Sequence, residues 1–362
     1  MNATEHPRLT ISSILVFALI NAMQFGPEYL SMSIKPIQWA GQDVWISVLL
    51  SGLGIHVIIW LMYRILERGG TDVIHMHPRL FGRWAGGGLN LLFLVYFLLL
   101  ASFQVRLFIE IIQVWLFTDL TAWPLALVLL LLAYYIVAGG FRVVVGICMF
   151  SLVRYITIAA TFFPAVYFHF GNLTPVFDHS PFEIAQGGKA LTFPYVGVEA
   201  LLFCYTFIKS PETSRKWAYG ANAMTTFSYL LVLFFSLLLF KPEQLSIEIW
   251  PQLTKYQFIQ FPFIDRFEYI GAAAQILWVM PIICFCLWAS SRIGKVMLGV
   301  RQSTVLPVLL AIVFAAVCSI PDRSRVEEAQ GLLEAFGFYM TFAYIPFLYL
   351  VVLIRTKASA AA

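Results

Sequence analysis

Two short stretches, Gln24-Phe25-Gly26-Pro27-Glu28 and Phe193-Pro194-Tyr195-Val196-Gly197-Val198-Glu199, interrupt two long apolar segments of the chain. Proline removes a backbone donor and glycine tolerates non-helical torsions, so each stretch predicts a point where a helix unwinds. In both stretches a glutamate follows the glycine by two residues, and the two glycines are 171 residues apart, close to half of the chain. Matching breaks in two halves of a chain indicate an inverted repeat with a binding site between them.

The composition around these stretches is that of a membrane protein. The 362 residues are 60% hydrophobic and only 12% charged, with a mean hydropathy of +0.83, whereas a soluble domain carries about 25% charged residues. So few charges cannot cover a soluble globule, and the many aliphatic and aromatic residues exclude a disordered chain. We expect an all-α polytopic protein in the lipid bilayer, with one transmembrane domain over residues 1–362.

Ten apolar stretches approach the length of about 20 residues that a membrane helix needs. They are approximately Thr10–Ile34, Val44–Leu66, Leu89–Leu116, Pro124–Ala138, Val143–Phe168, Leu191–Ile208, Trp217–Phe240, Phe267–Ser290, Thr304–Ser319 and Leu333–Ile354. The breaks fall in the first and sixth, which predicts a five-plus-five repeat over about 10–168 and 191–354. The loops carry fourteen Lys and Arg on the side of the N-terminus and seven on the other, so both termini are predicted to be cytoplasmic.

Several classes of function are not expected. The basic residues are scattered singly through loops, which argues against a nucleic-acid partner. Cys284-x-Cys286 directs its thiols to different sides of a helix with no Cys or His nearby in sequence, so no metal site is predicted. The chain also lacks a phosphate-binding loop, a nucleophile elbow and a HExxH motif, so neither an enzyme nor a cofactor is expected.

The chemistry of the two breaks follows from the half-helix ends that they create. Free N–H groups suit a carboxylate and free C=O groups suit an ammonium or a cation, and an amino-acid zwitterion needs both. Glu28 and Glu199, if ionised, would compete with a ligand carboxylate. Each therefore pairs with an ammonium or a cation, is partly protonated, or only satisfies its helix N-terminus. The alternative to a binding site at Gly26, Pro27 and Gly197 is a pair of structural proline kinks.

Charged residues also fall inside other apolar stretches, where a charge is expensive. Arg106 and Glu110 are four residues apart on one helix face, which predicts a self-contained ion pair. Arg154 has no partner in its own helix and is expected to neutralise a carboxylate from another span, in a structural or gating role. On the opposite face from Arg106, Tyr96 and Leu100 are placed to line a central pocket, with ordinary helix packing as the alternative.

Local motifs along nearly the whole chain resemble those of one family of membrane proteins. They are Gly41-Gln42-Asp43-Val44-Trp45-Ile46-Ser47, Asp119–Pro124, Tyr135–Gly140, Phe193–Glu199, Asp265-Arg266-Phe267-Glu268 and Ile345-Pro346. In their order and spacing the chain resembles the B-type subunits of spore germinant receptors, a branch of the amino acid–polyamine–organocation transporter superfamily. Arg142 and Gly146 depart from the pattern, because they stand where the family tends to place an acid and an arginine.

The resemblance implies a LeuT-like fold with broken helices 1 and 6, in a protein of the spore inner membrane that senses a nutrient, usually a small amino acid. It implies A-type and C-type receptor subunits as partners and ion release after the germinant binds. Carried over to matching positions, it implies ligand contacts from Gly26, Pro27, Tyr96, Leu100, Gly197, Ala200, Cys204 and Cys286. These side chains carry no bulky charge, which favours a small apolar amino acid over a sugar.

Two functions stay open on this evidence. One is a receptor subunit that binds the germinant and passes a conformational change to its partners, with Glu28, Arg106, Glu110 and Arg154 as candidates for coupling or gating. The other is a self-sufficient amino-acid transporter coupled to a proton or cation through Glu199. Both predict binding, but only the transporter predicts concentrative uptake by the isolated chain.

Overall fold

The protein is helical throughout the part that the structure, a computed structural model, describes. This part comprises residues 10–162, 164–245, 247–259, 266–320 and 322–361, with side chains up to residue 355. Within these ranges the chain forms α-helices joined by turns and short 3-10 helices. An isolated bridge between Ile11 and Ile208 is the one strand-like pairing in them. The prediction of an all-α protein is confirmed, and Asp265 of the predicted motif lies outside the described residues.

The first span is broken where the sequence predicts. Helix α1 covers Leu15–Met23. The next three residues, 24–26, are not helical, and a 3-10 turn then covers Pro27–Leu30. Gly26 is extended, with φ −89° and ψ −176°, and caps that turn. Helix α2, Ile34–Ala40, completes the stretch. The span therefore consists of two pieces that are separated at Gly26-Pro27.

The remainder of the first half contains four spans, and the second of these is preceded by a helical segment that is bent at Gly82. Its helices are α3 (Val44–Gly69), α4 (Val73–Trp115), α5 (Ala122–Ala138), α6 (Phe141–Cys148) and α7 (Arg154–Ala160). Helix α4 begins sixteen residues before the predicted start at Leu89, because a preceding helical segment joins it across a kink at Gly82, where the backbone is not helical and φ is +80°. Helices α6 and α7 are separated by a 3-10 turn, Phe150–Val153, and together form the fifth span.

The second half repeats the broken arrangement. Its helices are α8 (Pro181–Ala190), α9 (Thr192–Tyr195), α10 (Ala200–Cys204), α11 (Pro211–Leu239), α12 (Pro242–Leu245), α13 (Pro251–Gln257), α14 (Phe267–Ala274), α15 (Ile276–Leu298), α16 (Gln302–Cys318), α17 (Arg323–Tyr339) and α18 (Ile345–Ala361). The sixth span leaves the helical path between α9 and α10, at residues 196–199. Both predicted breaks are thus present, at equivalent places in the two halves.

Length and composition identify most of the ten predicted spans. Within the described residues, six helical stretches are long and apolar enough to cross a membrane, and the pair formed by Pro181–Ala190 and Thr192–Phe207, bent by 50°, makes a seventh. Ala122–Ala138 and Gln302–Cys318 are shorter apolar helices. The broken first span supplies the remaining position. The predicted limits of the two repeats stay a prediction.

Helix α15 forms the middle of the bundle and is buried continuously from Trp278 to Gly294. It packs along α4 and also contacts α5, α6 and α16. Lipid tails are as apolar as leucine, so such contacts depend on close packing and on polar groups. Edge-to-face aromatic contacts, with Phe97 5.0 Å from Phe203 and 6.1 Å from Phe285, join α4 to the sixth span and to α15. This packing fixes α4 beside the second break.

Candidate functional site

The two helix breaks touch one another inside the bundle. Gly197 has φ +117°, a conformation that L side chains rarely adopt, and a Cβ atom there would lie 2.4 Å from the carbonyl oxygen of Met23. The hydroxyl of Tyr229 on α11 contacts the carbonyl oxygens of both Gln24 and Pro194, the latter at 2.8 Å. One side chain therefore contacts a carbonyl group of each broken span, next to each break.

The side chain of Gln24 ties the first break to its surroundings. Its Nε2 donates to Oδ1 of Asn222 on α11 over 3.0 Å, and Asn222 in turn donates to the carbonyl oxygen of Gly52 on α3 over 2.9 Å. The other amide atom, Gln24 Oε1, is buried without a hydrogen-bond partner. The first break therefore presents an unused acceptor to its buried surroundings.

Glu199 folds back over the second break. Its Oε2 accepts a hydrogen bond from the backbone N–H of Gly197 over 2.7 Å, and its Oε1 accepts one from the hydroxyl of Tyr96 on α4 over 2.8 Å. The side chain is buried. Because the carboxylate occupies a free N–H group of the break, it stands where the carboxylate of a ligand could otherwise bind.

Glu28 does the same at the first break. Its Oε2 accepts a hydrogen bond from Nε2 of Gln104 on α4 over 3.1 Å, and a Cβ atom on Gly26 would meet that same oxygen at 2.2 Å. The carboxylate is therefore folded directly over Gly26. Gln104 Oε1, like the oxygen of Gln24, is buried without a partner.

The third span supplies one donor to each of these carboxylates. Tyr96 and Gln104 are eight residues apart on α4, which places them about two turns from each other, and they reach Glu199 and Glu28 respectively. Each break thus has the same local design, a Gly-x-Glu whose carboxylate turns back over the glycine and is met by α4. Sequence reasoning identified both glutamates and Tyr96 but missed Gln104.

The structure brings together most of the predicted ligand-contacting residues. Those placed at the breaks are Gly26, Pro27, Gly197, Glu199 and Tyr96. Leu100 and Ala200 are buried near them along α4 and at the start of α10, and Cys286 of α15 is buried within electrostatic range of Glu199 and Tyr96. Cys204, at the end of α10, lies within electrostatic range of Arg292 and Asp72. Their role in binding stays a prediction.

The prediction that Arg154 neutralises a carboxylate from another span is wrong. The guanidinium is fully buried and faces the bundle, but Nη2 donates to the carbonyl oxygen of Asn21 over 2.7 Å and also contacts Asn21 Oδ1. It lies over the ring of Phe25, 4.5 Å from the centroid. No carboxylate forms an ion pair with Arg154 in the described ranges. The arginine therefore acts on the residues that lead into the first break, through a carbonyl group and an aromatic face.

The prediction of a self-contained pair between Arg106 and Glu110 is also wrong. Glu110 Oε1 pairs with Nη1 of Arg323 at the start of α17 over 2.7 Å, and Arg106 Nε donates to the carbonyl oxygen of Ile320 over 3.0 Å. Both side chains connect the third span to the loop between α16 and α17. Arg323 also lies over the ring of Trp250, 5.0 Å from its centroid. The sequence offers no local signal for these partners, because they are more than two hundred residues away.

A second polar network lies at the end of α4 that is opposite to Glu110 and Arg323. Asp72, the N-cap of α4, accepts hydrogen bonds from His75 and Thr206 and pairs with Arg292 of α15. Arg292 Nη1 also donates to the carbonyl oxygen of Phe203 in the sixth span over 2.7 Å. Burial alone would raise the pKa of Asp72, but the hydrogen bond from His75 and the charge of Arg292 outweigh it and lower that pKa to about 2. The network joins the sixth span to α4 and α15.

Polar residues within apolar spans were the signal that could have found the missed residues. Gln104, Asn222 and Asn21 are each buried in an apolar helix, and such residues in membrane spans usually mark functional contacts. In the described part of the chain no group of three or more His, Cys, Asp or Glu side chains is arranged to hold a metal ion.

Comparison with known proteins places the chain in a family. The family described as "Spore germination protein" matches residues 10–326. The spore germination protein GerQB of Bacillus cereus is 38% identical over 348 residues, which cover 96% of this chain and 97% of that protein. The chain belongs to the spore germination protein family. Another relative of this family, spore germination protein A2 of Bacillus subtilis (strain 168), is 24% identical over 249 residues, or 66% of each chain.

Solved structures show the fold of this spore germination protein. MhsT in complex with L-phenylalanine matches with a TM-score of 0.61 and 11% identity over 95% of this chain and 88% of that one. A substrate-bound Na+-coupled sialic acid symporter matches with a TM-score of 0.63 and 10% identity over 96% and 76% of the two chains. The LeuT-like fold with breaks in spans one and six is confirmed, in an integral membrane protein of spore germination.

Proposed function

We propose that the chain is the germinant-sensing membrane subunit of a spore germination receptor, and that it binds a small amino acid between the breaks of its first and sixth spans. Membership of the spore germination family supports the biological role. Contact between Gly197 and Met23 supports the position of the site, because both breaks meet there. The proposed location is the spore inner membrane, with both termini on the cytoplasmic side and the chain as a single transmembrane domain.

The observation that carries the proposal is the set of acceptors gathered at the breaks. Glu28 and Glu199 are buried, and among the described residues neither carboxylate pairs with a Lys, Arg or His side chain. The amide oxygens of Gln24 and Gln104 are buried without a donor. An unsatisfied buried acceptor costs about 1–3 kcal/mol, and an unpaired buried charge costs more. A site of this kind is suited to the ammonium group of a ligand.

The ammonium group is the part of the amino acid that these residues are proposed to recognise. The N–H of Gly197 is already bonded to the Glu199 carboxylate, so a ligand carboxylate would have to displace Glu199 to reach it. An ammonium can instead pair with Glu199 and Glu28 without displacing a donor from either. Recognition of the amine therefore needs no loss of the hydrogen bonds from Tyr96 and Gln104.

The proposed lining of the remaining space is uncharged. Leu100, Ala200 and Cys286 would surround the ligand side chain together with the ring of Tyr96, whereas Cys204, which was predicted with them, lies beside Arg292 and Asp72. These residues offer apolar or weakly polar surface and few hydrogen bonds. They favour a small apolar side chain over the many hydroxyl groups of a sugar.

The proposed consequence of binding is a change in how the broken spans sit against the rest of the bundle. A ligand shifts such an equilibrium only by the difference in its affinity for the two states. The partners proposed to receive the change are A-type and C-type receptor subunits. Arg154, Arg106 and Glu110 are proposed to couple the breaks and the third span to this movement.

A second candidate is a proton- or cation-coupled amino-acid transporter, and one observation favours it. The structural matches include a complex with L-phenylalanine and a Na+-coupled symporter, both with the same fold. Glu199 would then carry the coupled proton or pair with the coupled cation. The isolated chain would accumulate amino acid against a gradient, which the receptor proposal does not require.

Binding by the isolated chain tests the site. We expect small neutral amino acids and their amides to raise the thermal unfolding temperature of the purified chain in nanodiscs, and we expect N-acetyl amino acids, which lack the ammonium, to have no effect. Glu199→Gln and Glu28→Gln should each weaken binding by about tenfold or more, because each removes a charged partner. Glu183→Gln, at the exposed capping box of α8, is the matched control. Binding of the N-acetyl compound as tightly as the amino acid would overturn the amine-recognition proposal.

Uptake separates the receptor from the transporter. Purified chain in liposomes is supplied with labelled amino acid and an imposed proton or sodium gradient. Binding without accumulation supports the receptor subunit. Concentrative uptake that is lost in Glu199→Gln would establish the transporter instead.

A further inference from the structure

An apolar groove opens on the outside of the bundle, between α4 and the two C-terminal helices α17 and α18. Its cavity volume is about 420 Å³, and its walls are almost wholly carbon. Leu89 and Phe93 of α4 lie on one side, and Phe336 of α17 and Phe347 of α18 lie on the other. From Phe336 to Phe347 the helical path advances roughly 16 Å. That length is about half of the hydrocarbon thickness of a bilayer, or one leaflet.

A π-helical turn at Met340–Tyr344 runs along this groove. Such turns are rare in proteins, and those that occur are often found at functional sites. The hydroxyl of Tyr344 is hydrogen-bonded to Nε2 of His77, and Nδ1 of His77 contacts Oδ1 of Asn90 over 2.6 Å. The turn is therefore joined to α4 through His77, and the ring of Tyr344 also packs on Phe93 of α4 with centroids 5.4 Å apart.

Arginine side chains collect beyond one end of the groove. Arg79 and Arg83 lie on either side of the kink in α4, and Arg355 of α18 donates from Nη2 to the carbonyl oxygen of Leu80 over 3.0 Å. All three are exposed. Among the residues that the structure describes, none of the three forms an ion pair with a carboxylate. Their charges are therefore available to an anion from outside the chain.

Measured along the helix axes, the arginines lie beyond one end of the groove. Arg83 precedes Leu89 by six residues, about 9 Å along α4, and Arg355 follows Phe347 by eight residues, about 12 Å along α18. The two helices run in opposite directions here, so both arginines fall beyond the same end of the groove. Basic residues just beyond the end of an apolar segment are an arrangement that attracts anionic lipid headgroups.

The size of the groove distinguishes a lipid chain from a partner helix. A helix is about 10 Å across, so a 16 Å length of it occupies more than roughly 1,000 Å³. The cavity of about 420 Å³ holds less than half of that. A single extended hydrocarbon chain fits where a helix could only rest on the rim.

We propose that this groove binds one anionic phospholipid, with an acyl chain against Phe93 and Phe336 and the phosphate among Arg79, Arg83 and Arg355. The site lies in the leaflet that adjoins the arginine-rich end of the bundle. It is separate from the candidate amino-acid site and does not depend on that proposal. The two sites share one neighbour, because Phe336 also stacks on Tyr96 with centroids 4.7 Å apart.

Lipid retention by the full-length chain tests the proposal. The protein is extracted from membranes containing phosphatidylcholine and phosphatidylglycerol, and retained lipid is counted by native mass spectrometry. We expect phosphatidylglycerol to be retained in preference to phosphatidylcholine, and we expect Arg83→Gln/Arg355→Gln to reduce its retention by about tenfold. The matched control is Arg142→Gln/Arg301→Gln, which removes two exposed arginines that belong to α6 and to the start of α16 and not to the helices that form the groove.

A second variant tests the groove without changing charge. Ala343→Phe places a ring in the cavity, and we expect it to lower retention of phosphatidylglycerol while added inorganic phosphate does not compete. If the arginine variant fails to fold in nanodiscs of phosphatidylcholine, retention of phosphatidylglycerol by Ala343→Phe alone tests the proposal. Full retention by Ala343→Phe, equal retention of both lipids, or displacement by phosphate would each overturn the proposal. The proposal would also be overturned if these variants retained lipid as the wild type does but lost a partner subunit, because the groove would then be a surface on which a partner helix docks.

Discussion

The hydroxyl of Tyr96 donates a hydrogen bond to Oε1 of Glu199 over 2.8 Å, while the ring of the same tyrosine stacks on Phe336 with centroids 4.7 Å apart. One residue of the third span thus contacts both the break in the sixth span and helix α17. A ligand ammonium that pairs with Glu199 would neutralise the charge of the carboxylate to which Tyr96 donates its hydrogen bond. Because the ring of Tyr96 packs on Phe336, we infer that this contact links the state of the proposed site to α17.

Tyr96→Phe should lower the stability of the ligand-free protein and enlarge the stabilising effect of the ligand. The stack on Phe336 is kept, but Glu199 loses a hydrogen bond worth about 1–3 kcal/mol when the acceptor is charged and buried. An ammonium ligand would then satisfy an oxygen that has no other donor. The measurement is thermal unfolding in nanodiscs with and without amino acid, with the exposed Tyr339→Phe as control. An unchanged unfolding temperature in the absence of ligand would show that the bond to Glu199 does not contribute.

Gly197→Ala should prevent stable folding and not merely ligand binding. The backbone there has φ +117°, and the new Cβ atom would lie 2.4 Å from the Met23 carbonyl oxygen, which is backbone and cannot turn aside. We expect a loss of at least about 3 kcal/mol, since strain and overpacking act together. Gly220→Ala is the control, because its Cβ would meet Phe17 at an ordinary 3.8 Å. A Gly197→Ala protein with the unfolding temperature of the wild type would show that the two breaks do not touch.

The breaks were predictable from sequence because their cause is local. Pro27 lacks a backbone donor and Gly197 can adopt a positive φ, and both properties belong to the residue itself. The turned-back carboxylate of Glu199 is nearly as local, since its backbone partner is two residues away. These features need no knowledge of the rest of the fold.

The partners of the buried arginines were not predictable, because they are set by the packing of distant spans. The four-residue spacing of Arg106 and Glu110 is a sound reason to expect an ion pair in an isolated helix. In the folded bundle a stronger partner, Arg323, reaches Glu110 from 213 residues away. Arg154 likewise takes a carbonyl group where a carboxylate was expected, because the first span and not an acidic side chain lies against it.

A double-mutant cycle should find more coupling between Glu110 and Arg323 than between Glu110 and Arg106. The Glu110–Arg323 pair is half-buried, with a contact of 2.7 Å, so we expect about 1 kcal/mol of interaction free energy. Gln substitutions at each position, singly and in pairs, are compared by thermal unfolding in nanodiscs. A larger coupling for Arg106 would restore the self-contained pair that the sequence suggests and remove Arg323 from this role.

Acid should weaken the end of the bundle that Asp72 and Arg292 join. The pKa of Asp72 lies at about 2 in the folded protein, below its ordinary value, so its contribution of about 2 kcal/mol is complete above pH 4 and is lost as the pH falls toward 2. Asp72→Asn should lower stability at neutral pH, since Arg292 loses its charged partner, and should flatten the loss of stability between about pH 4 and 2. Thermal unfolding across that range measures both effects, with the exposed Asp178→Asn as control. An unaltered acid profile in Asp72→Asn would assign the acid sensitivity to other carboxylates.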